Sequence, residues 1–136
     1  MRVMALDIGT VRIGVALSDP LGIVANPLKT IDGTEPERAI EEIVGLLKEY
    51  EVGHLVIGFP KHMNNTVGEL AKLALWYESE LKKRTEIRTT MFDERLSSVS
   101  AGHVMRDTRV KAKKRKGVVD QIAAVLILQT ALDRGL

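Results

Sequence analysis

A chain of 136 residues, 45% hydrophobic and 28% charged with a formal net charge of +2, is sized for one soluble domain spanning 1–136. It has no cysteine, which excludes disulfides, thiolate catalysis and cysteine-based zinc or iron–sulfur sites. The longest uninterrupted apolar run, Ile122–Leu128, is too short to span a bilayer, and Asp7 falls where a signal peptide needs its apolar core, so no membrane partner and a cytoplasmic location are expected.

The first nineteen residues carry the densest information. Val3 to Leu6 is a continuous apolar run, as in a strand buried on both faces, and it stops at Asp7. Gly9-Thr10 turns the chain into a second apolar strand. The predicted strands are Arg2–Ile8, Arg12–Ser18 and Gly22–Thr30, joined by turns short enough for an antiparallel meander. Thr34-Glu-Pro-Glu37 reads as a capping box opening a helix with an Ile40, Ile43, Val44 and Leu47 stripe. Gly53 ends the connection to a buried strand, His54–Phe59. Thr66-Val-Gly-Glu69 reads as a second capping box, for a helix reaching about Arg84. Ile87–Glu94 is the fifth strand, Ser97 or Ser98 caps a helix to about Arg106, and Gly117–Arg134 forms the last helix. Strand–helix–strand units require parallel neighbours with right-handed crossovers. The expected fold is α/β: a five-stranded mixed sheet, order 3-2-1-4-5, with helices on both faces. That arrangement resembles the ribonuclease H-like architecture.

A carboxylate at the end of a central strand is costly unless a metal ion, a hydrogen-bonded phosphate site or the backbone of the Gly9-Thr10 turn satisfies it. Asp120 is the second unusual acid. Helical spacing runs from it to Ala123 and Ala124, then Ile127, Leu128 and Ala131, so it heads the apolar face of the last helix. An acid in the first turn of that helix also suits the macrodipole, which explains an acid there but not its place on the buried face. In Met91-Phe-Asp-Glu-Arg-Leu-Ser97, alternation puts Asp93 and Glu94 on opposite faces, and since both faces are mixed it does not choose between them. Three carboxylates from separated segments would suit two divalent cations about 3.5–4 Å apart, with hard oxygen donors favouring Mg2+ or Mn2+ over zinc. His54, His62 and His103 lie on different elements without metal-ligand spacing. His54 reads as structural, His103 lies on a helix of unknown facing, and His62, following a strand end, is the one to retain as a candidate, with the sequence leaving open whether His62 to Asn65 joins the site.

These segments resemble the YqgF (RuvX) family, described as pre-16S rRNA nucleases or Holliday-junction resolvases. The blocks are Leu6-Asp-Ile-Gly-Thr-Val-Arg-Ile-Gly14, Val56-Ile-Gly-Phe-Pro60, Asp93-Glu-Arg-Leu-Ser97 and Val119-Asp-Gln-Ile-Ala-Ala-Val-Leu-Ile-Leu-Gln129. In this order they cover nearly the whole chain. The resemblance implies a ribonuclease H-like fold and metal-dependent phosphodiester hydrolysis, and it places the catalytic, metal-binding acids on Asp7, Glu94 and Asp120. It also implies a role in pre-16S rRNA 5′-end processing, with structured RNA favoured over branched DNA and ribosomal precursor particles as partners. Where the family commonly has an Asn-Met-Asp-Gly-like turn, this chain has Lys61-His-Met-Asn-Asn65. Resolvases of this fold also carry an acid at the end of the fourth strand, which is lacking here. Glu94 then starts two strands from Asp7, about 9–10 Å away, a gap that a long side chain acting through metal can close.

Seven basic residues and one acid lie between Arg106 and Lys116. Lys111, Lys113, Lys114, Arg115 and Lys116 have no interleaved aromatics, so sequence-independent attraction of nucleic-acid phosphates is expected rather than base stacking, against the alternative of a solvated loop. Thr10 and Arg12 either touch a phosphate or stabilise the first hairpin. Arg95 either pairs with a phosphate or forms a surface ion pair. Two other readings stand beside the nuclease: a non-catalytic nucleic-acid-binding factor, and a phosphate loop like that of sugar kinases and actin-like ATPases. The latter close two such domains around a nucleotide, and the length allows one.

Overall fold

The computed structural model describes residues 1–59, 65–93 and 112–135, and the backbone alone at 65–67, 93 and 112–120. Five strands, β1 (Arg2–Ile8), β2 (Arg12–Ser18), β3 (Ala25–Asp32), β4 (Val52–Phe59) and β5 (Arg88–Asp93), form one sheet in the order β3-β2-β1-β4-β5. β1–β2 and β2–β3 pair antiparallel, β1–β4 and β4–β5 parallel, as the hairpin turns and helical crossovers require.

The helices α1 (Pro36–Glu49) and α2 (Asn65–Arg84) cover one face, and α3 (Ala112–Asp133) covers the other. β1 is buried on both sides, and its alternation sorts side chains by size. Met4, Leu6 and Ile8 pack with Ile40, Ile43, Tyr77 and Leu81 beneath α1 and α2. Val3 and Ala5 face α3, where Ala16, Ala25 and Val56 meet Ala124, Ile127, Leu128 and Ala131. Small side chains on both surfaces let α3 lie close to the sheet.

Several boundaries differ from the sequence reading, each for an identifiable reason. β3 begins at Ala25 because the Asp19 carboxylate accepts the Ile23 and Val24 amides (2.7 and 2.9 Å), holding the preceding loop closed. Thr34 does not cap α1. Its hydroxyl donates to Asp32 Oδ1 at 2.6 Å, and Glu35 occupies the N-cap without a side-chain bond. β4 starts at Val52, and the chain turns at Glu51 (φ 51°) rather than at Gly53, which lies within the strand. α2 starts at Asn65, so Thr66 lies inside it. α3 starts at Ala112, five residues before the expected Gly117, which makes the basic stretch from Lys113 helical rather than a loop. The expected helix from Ser97 or Ser98 to Arg106 lies outside the described residues. No helix among them is long and apolar enough to cross a membrane.

The hairpin beneath Asp7 depends on close backbone approach. The Gly9 amide donates to the Arg12 carbonyl at 3.0 Å, and a Cβ on Gly9 would lie 2.7 Å from that oxygen. Gly9→Ala is therefore expected to cost about 1–3 kcal/mol in denaturant unfolding, since the clash is with backbone. Gly45, exposed on α1, is the control, because a Cβ there would meet nothing within 4 Å. Gly45→Ala should be stabilising by up to about 1 kcal/mol. Equal effects of the two changes would contradict the turn's dependence on Gly9.

Candidate active site

Asp7 is half-buried near the C-terminal end of β1, in line with Val3 and Ala5 on the face that α3 covers. Its partner on β2 is Gly14. On the other side Leu6 pairs with Ile57, so the next residues along are Asp7 and Gly58. Glycines on both flanks add no side chain beside the carboxylate in its own row of the sheet. A glycine inside a strand marks close approach by another group, and both stand in the blocks singled out in the sequence.

The row continues outward. Gly14 pairs with Thr30 on β3, and Thr30 Oγ1 accepts a 2.9 Å hydrogen bond from Gln121 Nε2 of α3. Gln121 therefore brings its part of the helix to the level of Asp7. Asp120 precedes it, one helical turn before Ala124 and in the row that continues to Ile127, Leu128 and Ala131, all buried against the sheet. Asp120 is the ninth residue of α3, in its third turn. The macrodipole acts within the first turn, so it does not account for this acid.

On β5 the described side chains assign Met91 and Phe92 to opposite faces of the sheet. Phe92 packs with Ala5 and Val56 on the α3 side, while Met91 packs on the α1–α2 side. Asp93 is in register with Phe59, which also packs on the α1–α2 side. Glu94, Arg95 and Lys111 lie outside the described residues, as do His62 and His103. Thr10 is exposed in the first turn, and Arg12 opens β2 opposite Asp32. The backbone of Lys113, Lys114, Arg115 and Lys116 forms the start of α3. Among the described residues no three acids or histidines are grouped to hold a metal ion. The donor type at Asp7, a hard carboxylate flanked by glycines, fits Mg2+ or Mn2+.

Three further residues escape the sequence reading. Thr30 and Gln121 join β3 to α3, and neither has a local pattern that announces a partner 91 positions away. Asp32 lies at the same end of the sheet, but its carboxylate closes a turn by accepting the Thr34 hydroxyl and amide, which hold its pKa below the usual value. His54 lies four residues before Gly58, about 13 Å along β4, and its Nε2 is 2.7 Å from Thr90 Oγ1. It is remote from Asp7, in keeping with a structural role.

The strand order and the helices on both faces define a ribonuclease H-like fold, with an acid near the end of the central strand. Residues 1–134 match the RuvX family, described as Holliday junction resolvase, and the chain belongs to that family. A protein of Shouchella clausii named "Putative pre-16S rRNA nuclease" is 45% identical over 136 residues, covering 98% of this chain and 96% of its own. One of the same name from Lachnospira eligens is 42% identical over 132 residues, covering 95% and 94%. Among solved structures, T. thermophilus RuvC in complex with a Holliday junction substrate superposes with a TM-score of 0.64 at 13% identity, covering 98% of this chain and 95% of that one. The fowlpox virus Holliday junction resolvase gives 0.61 at 9% identity, covering 98% and 99%. At such identities these two structures share the fold.

Burial, followed by the charge of Arg88, holds the His54 pKa below its ordinary 6.5. The unfolded chain then takes up this proton more readily than the folded one, so His54 lowers stability as pH falls through 6.5 toward the folded value. Its ring resonances in an NMR titration should move below pH 6.5; a midpoint above that value would contradict the half-buried His54–Thr90 pair.

Proposed function

We propose that this protein is a metal-dependent nuclease that hydrolyses phosphodiester bonds in structured nucleic acid, with Asp7, Glu94 and Asp120 as the acids that hold Mg2+ or Mn2+. The observation that carries this reading is the row Asp7–Gly14–Thr30–Gln121, which brings the Asp120 segment of α3 to the level of Asp7 on the same face of the sheet. Extending the alternation of β5 by one residue beyond Asp93 supports Glu94 as the acid on that face. The relatives' names favour pre-16S rRNA as substrate, and the family description favours branched DNA as the alternative; on the first reading the target is the 5′ end of the precursor within ribosomal precursor particles.

Bound between hard carboxylates, such ions supply water activation and neutralise charge on the leaving oxygen. The chain's own residues do the rest. Asp7 presents its carboxylate from a strand fixed by pairing on both sides. Thr10 and Arg12, at the adjoining turn, would meet a phosphate, and Arg95 would do so in bidentate fashion. Lys111, Lys113, Lys114, Arg115 and Lys116 draw the nucleic-acid backbone toward the Asp120 end of α3. Lys113, Lys114 and Arg115 stand in the first turn of α3, which holds no acid, and there positive charge opposes the helix dipole. Positive charge kept where it disfavours the helix supports a binding role. A second reading, a non-catalytic nucleic-acid-binding factor, is favoured by β4, whose last residues are Gly58 and Phe59 with no acid.

Asp7→Asn keeps the size of the side chain and removes a charged ligand. Cleavage of a pre-16S rRNA 5′-end substrate in Mg2+ should fall by about 100-fold or more while RNA affinity is retained. Unchanged cleavage would remove Asp7 from the mechanism, and wild-type protein that binds without cutting would establish the second reading.

Replacing Lys113, Lys114, Arg115 and Lys116 by Ala tests the basic turns. Alanine is the best helix former and the helix loses unfavourable charge, so the melting temperature should hold or rise. RNA affinity should drop for all sequences, with the slope of log affinity against log salt shallower by up to about 3–4. Identical slopes would return these residues to a solvated surface.

A further inference from the structure

The surface on which α3 meets the sheet is rich in small side chains: Ala124 and Ala131 pack with Ala5, Ala16 and Ala25, beside Val56, Ile127 and Leu128. Alanine against alanine permits close approach but offers few knobs and holes, so packing alone resists rotation or sliding of the helix weakly. The larger Ile127 and Leu128 lie more than a turn away from Asp120. Directional bonds from two glutamines complete the docking. Gln129 accepts the Ala25 amide at 2.9 Å and donates to the Ile23 carbonyl at 3.0 Å. Gln121, two turns earlier, donates to Thr30 Oγ1 at 2.9 Å in a half-buried setting.

The two anchors have different consequences. Gln129 ties α3 to the start of β3, at the end of the sheet away from Asp7. Gln121 follows Asp120 directly and ties the helix to the row that contains Asp7. Displacing a helix by one residue moves it about 1.5 Å and turns it about 100°, enough to carry an acid off the buried row. We infer that Gln121 and Thr30 are positioning residues, whose hydrogen bond fixes the rotation of α3 so that Asp120 is presented at the level of Asp7, and which thereby set the affinity of the site for divalent cation. This rests on the reading of Asp7 and Asp120 as ligands. On this inference both residues act through the geometry of Asp120.

The test is Mn2+ affinity of the full chain, measured by the free-ion electron paramagnetic resonance signal, together with kcat and KM for cleavage. Thr30→Val and Gln121→Met should each weaken Mn2+ binding by about 10-fold and lower kcat comparably, as loss of an orienting partner does, with KM for nucleic acid within about twofold. Thr30→Ser, which keeps the hydroxyl, should retain wild-type affinity. The double variant should bind Mn2+ more tightly than the sum of the two single losses implies, because the Thr30–Gln121 bond is lost in both. Gln121→Met keeps side-chain length and helix propensity, so it carries the measurement if Thr30→Val lowers the melting temperature. Wild-type Mn2+ affinity in Gln121→Met, or a loss in Thr30→Ser as large as in Thr30→Val, overturns the inference. Wild-type protein that binds Mn2+ in this pattern but cuts no nucleic acid upholds the positioning pair while overturning the nuclease reading.

Discussion

The separation between the sheet and α3 is set by side-chain size, and the candidate site depends on that spacing. On one face of β1, Met4, Leu6 and Ile8 hold α1 and α2 away behind a thick apolar layer. On the other, Ala5 and its neighbour Ala16 admit α3 against the sheet. Asp7 continues the thin side, where Gly14 and Gly58 leave room around it. A half-buried carboxylate there is tolerable only with charged or hydrogen-bonding partners, and a helix lying close to the sheet can bring one. Exchanging the two faces of β1 would put the same acid under large side chains, with no approach for a second ligand.

The helix that completes this arrangement has two regions of opposite character. From Gln121 onward it is docked, with buried Ala124, Ile127 and Leu128 between two glutamine anchors. Before Asp120 its sequence is Ala-Lys-Lys-Arg-Lys-Gly-Val-Val, about 12 Å of helix with its cations at the end where the backbone dipole is itself positive. Such a start lowers helix stability and raises the local potential for anions. A polyanionic partner meeting this end would neutralise both the cations and the dipole, so binding and helix order reinforce one another.

Local chemistry makes much of this legible in the sequence. β1 and β2 have the bounds that their apolar runs and the Gly9-Thr10 turn dictate, and the sheet order follows from short hairpins and helical crossovers. Asp7 announces itself as a charge in a core strand. What the sequence misplaces is decided by contacts made elsewhere. Thr34 has the residue type and spacing of a cap, but the Asp32 carboxylate claims its hydroxyl first. Gly53 has the residue type of a breaker, yet Glu51 takes the left-handed conformation instead. A dense run of lysine reads as a loop, which places the start of α3 too late. The parity of β5 needs Met91 and Phe92 to be assigned to opposite layers, and that information lies in the helices rather than in the strand. The Thr30–Gln121 bond spans 91 residues and has no local signal at all.

The central claim is that acids from β1, the segment after β5 and α3 share divalent cation at one end of the sheet. Anomalous scattering from crystals soaked in Mn2+ measures this most directly. Peaks are expected within coordination distance, about 2.0–2.3 Å, of carboxylate oxygens of Asp7, with Glu94 and Asp120 completing the set. Mn2+ bound elsewhere with Asp7 left uncoordinated, or Asp120 turned to solvent away from Asp7 in the ion-bound crystal, would contradict it.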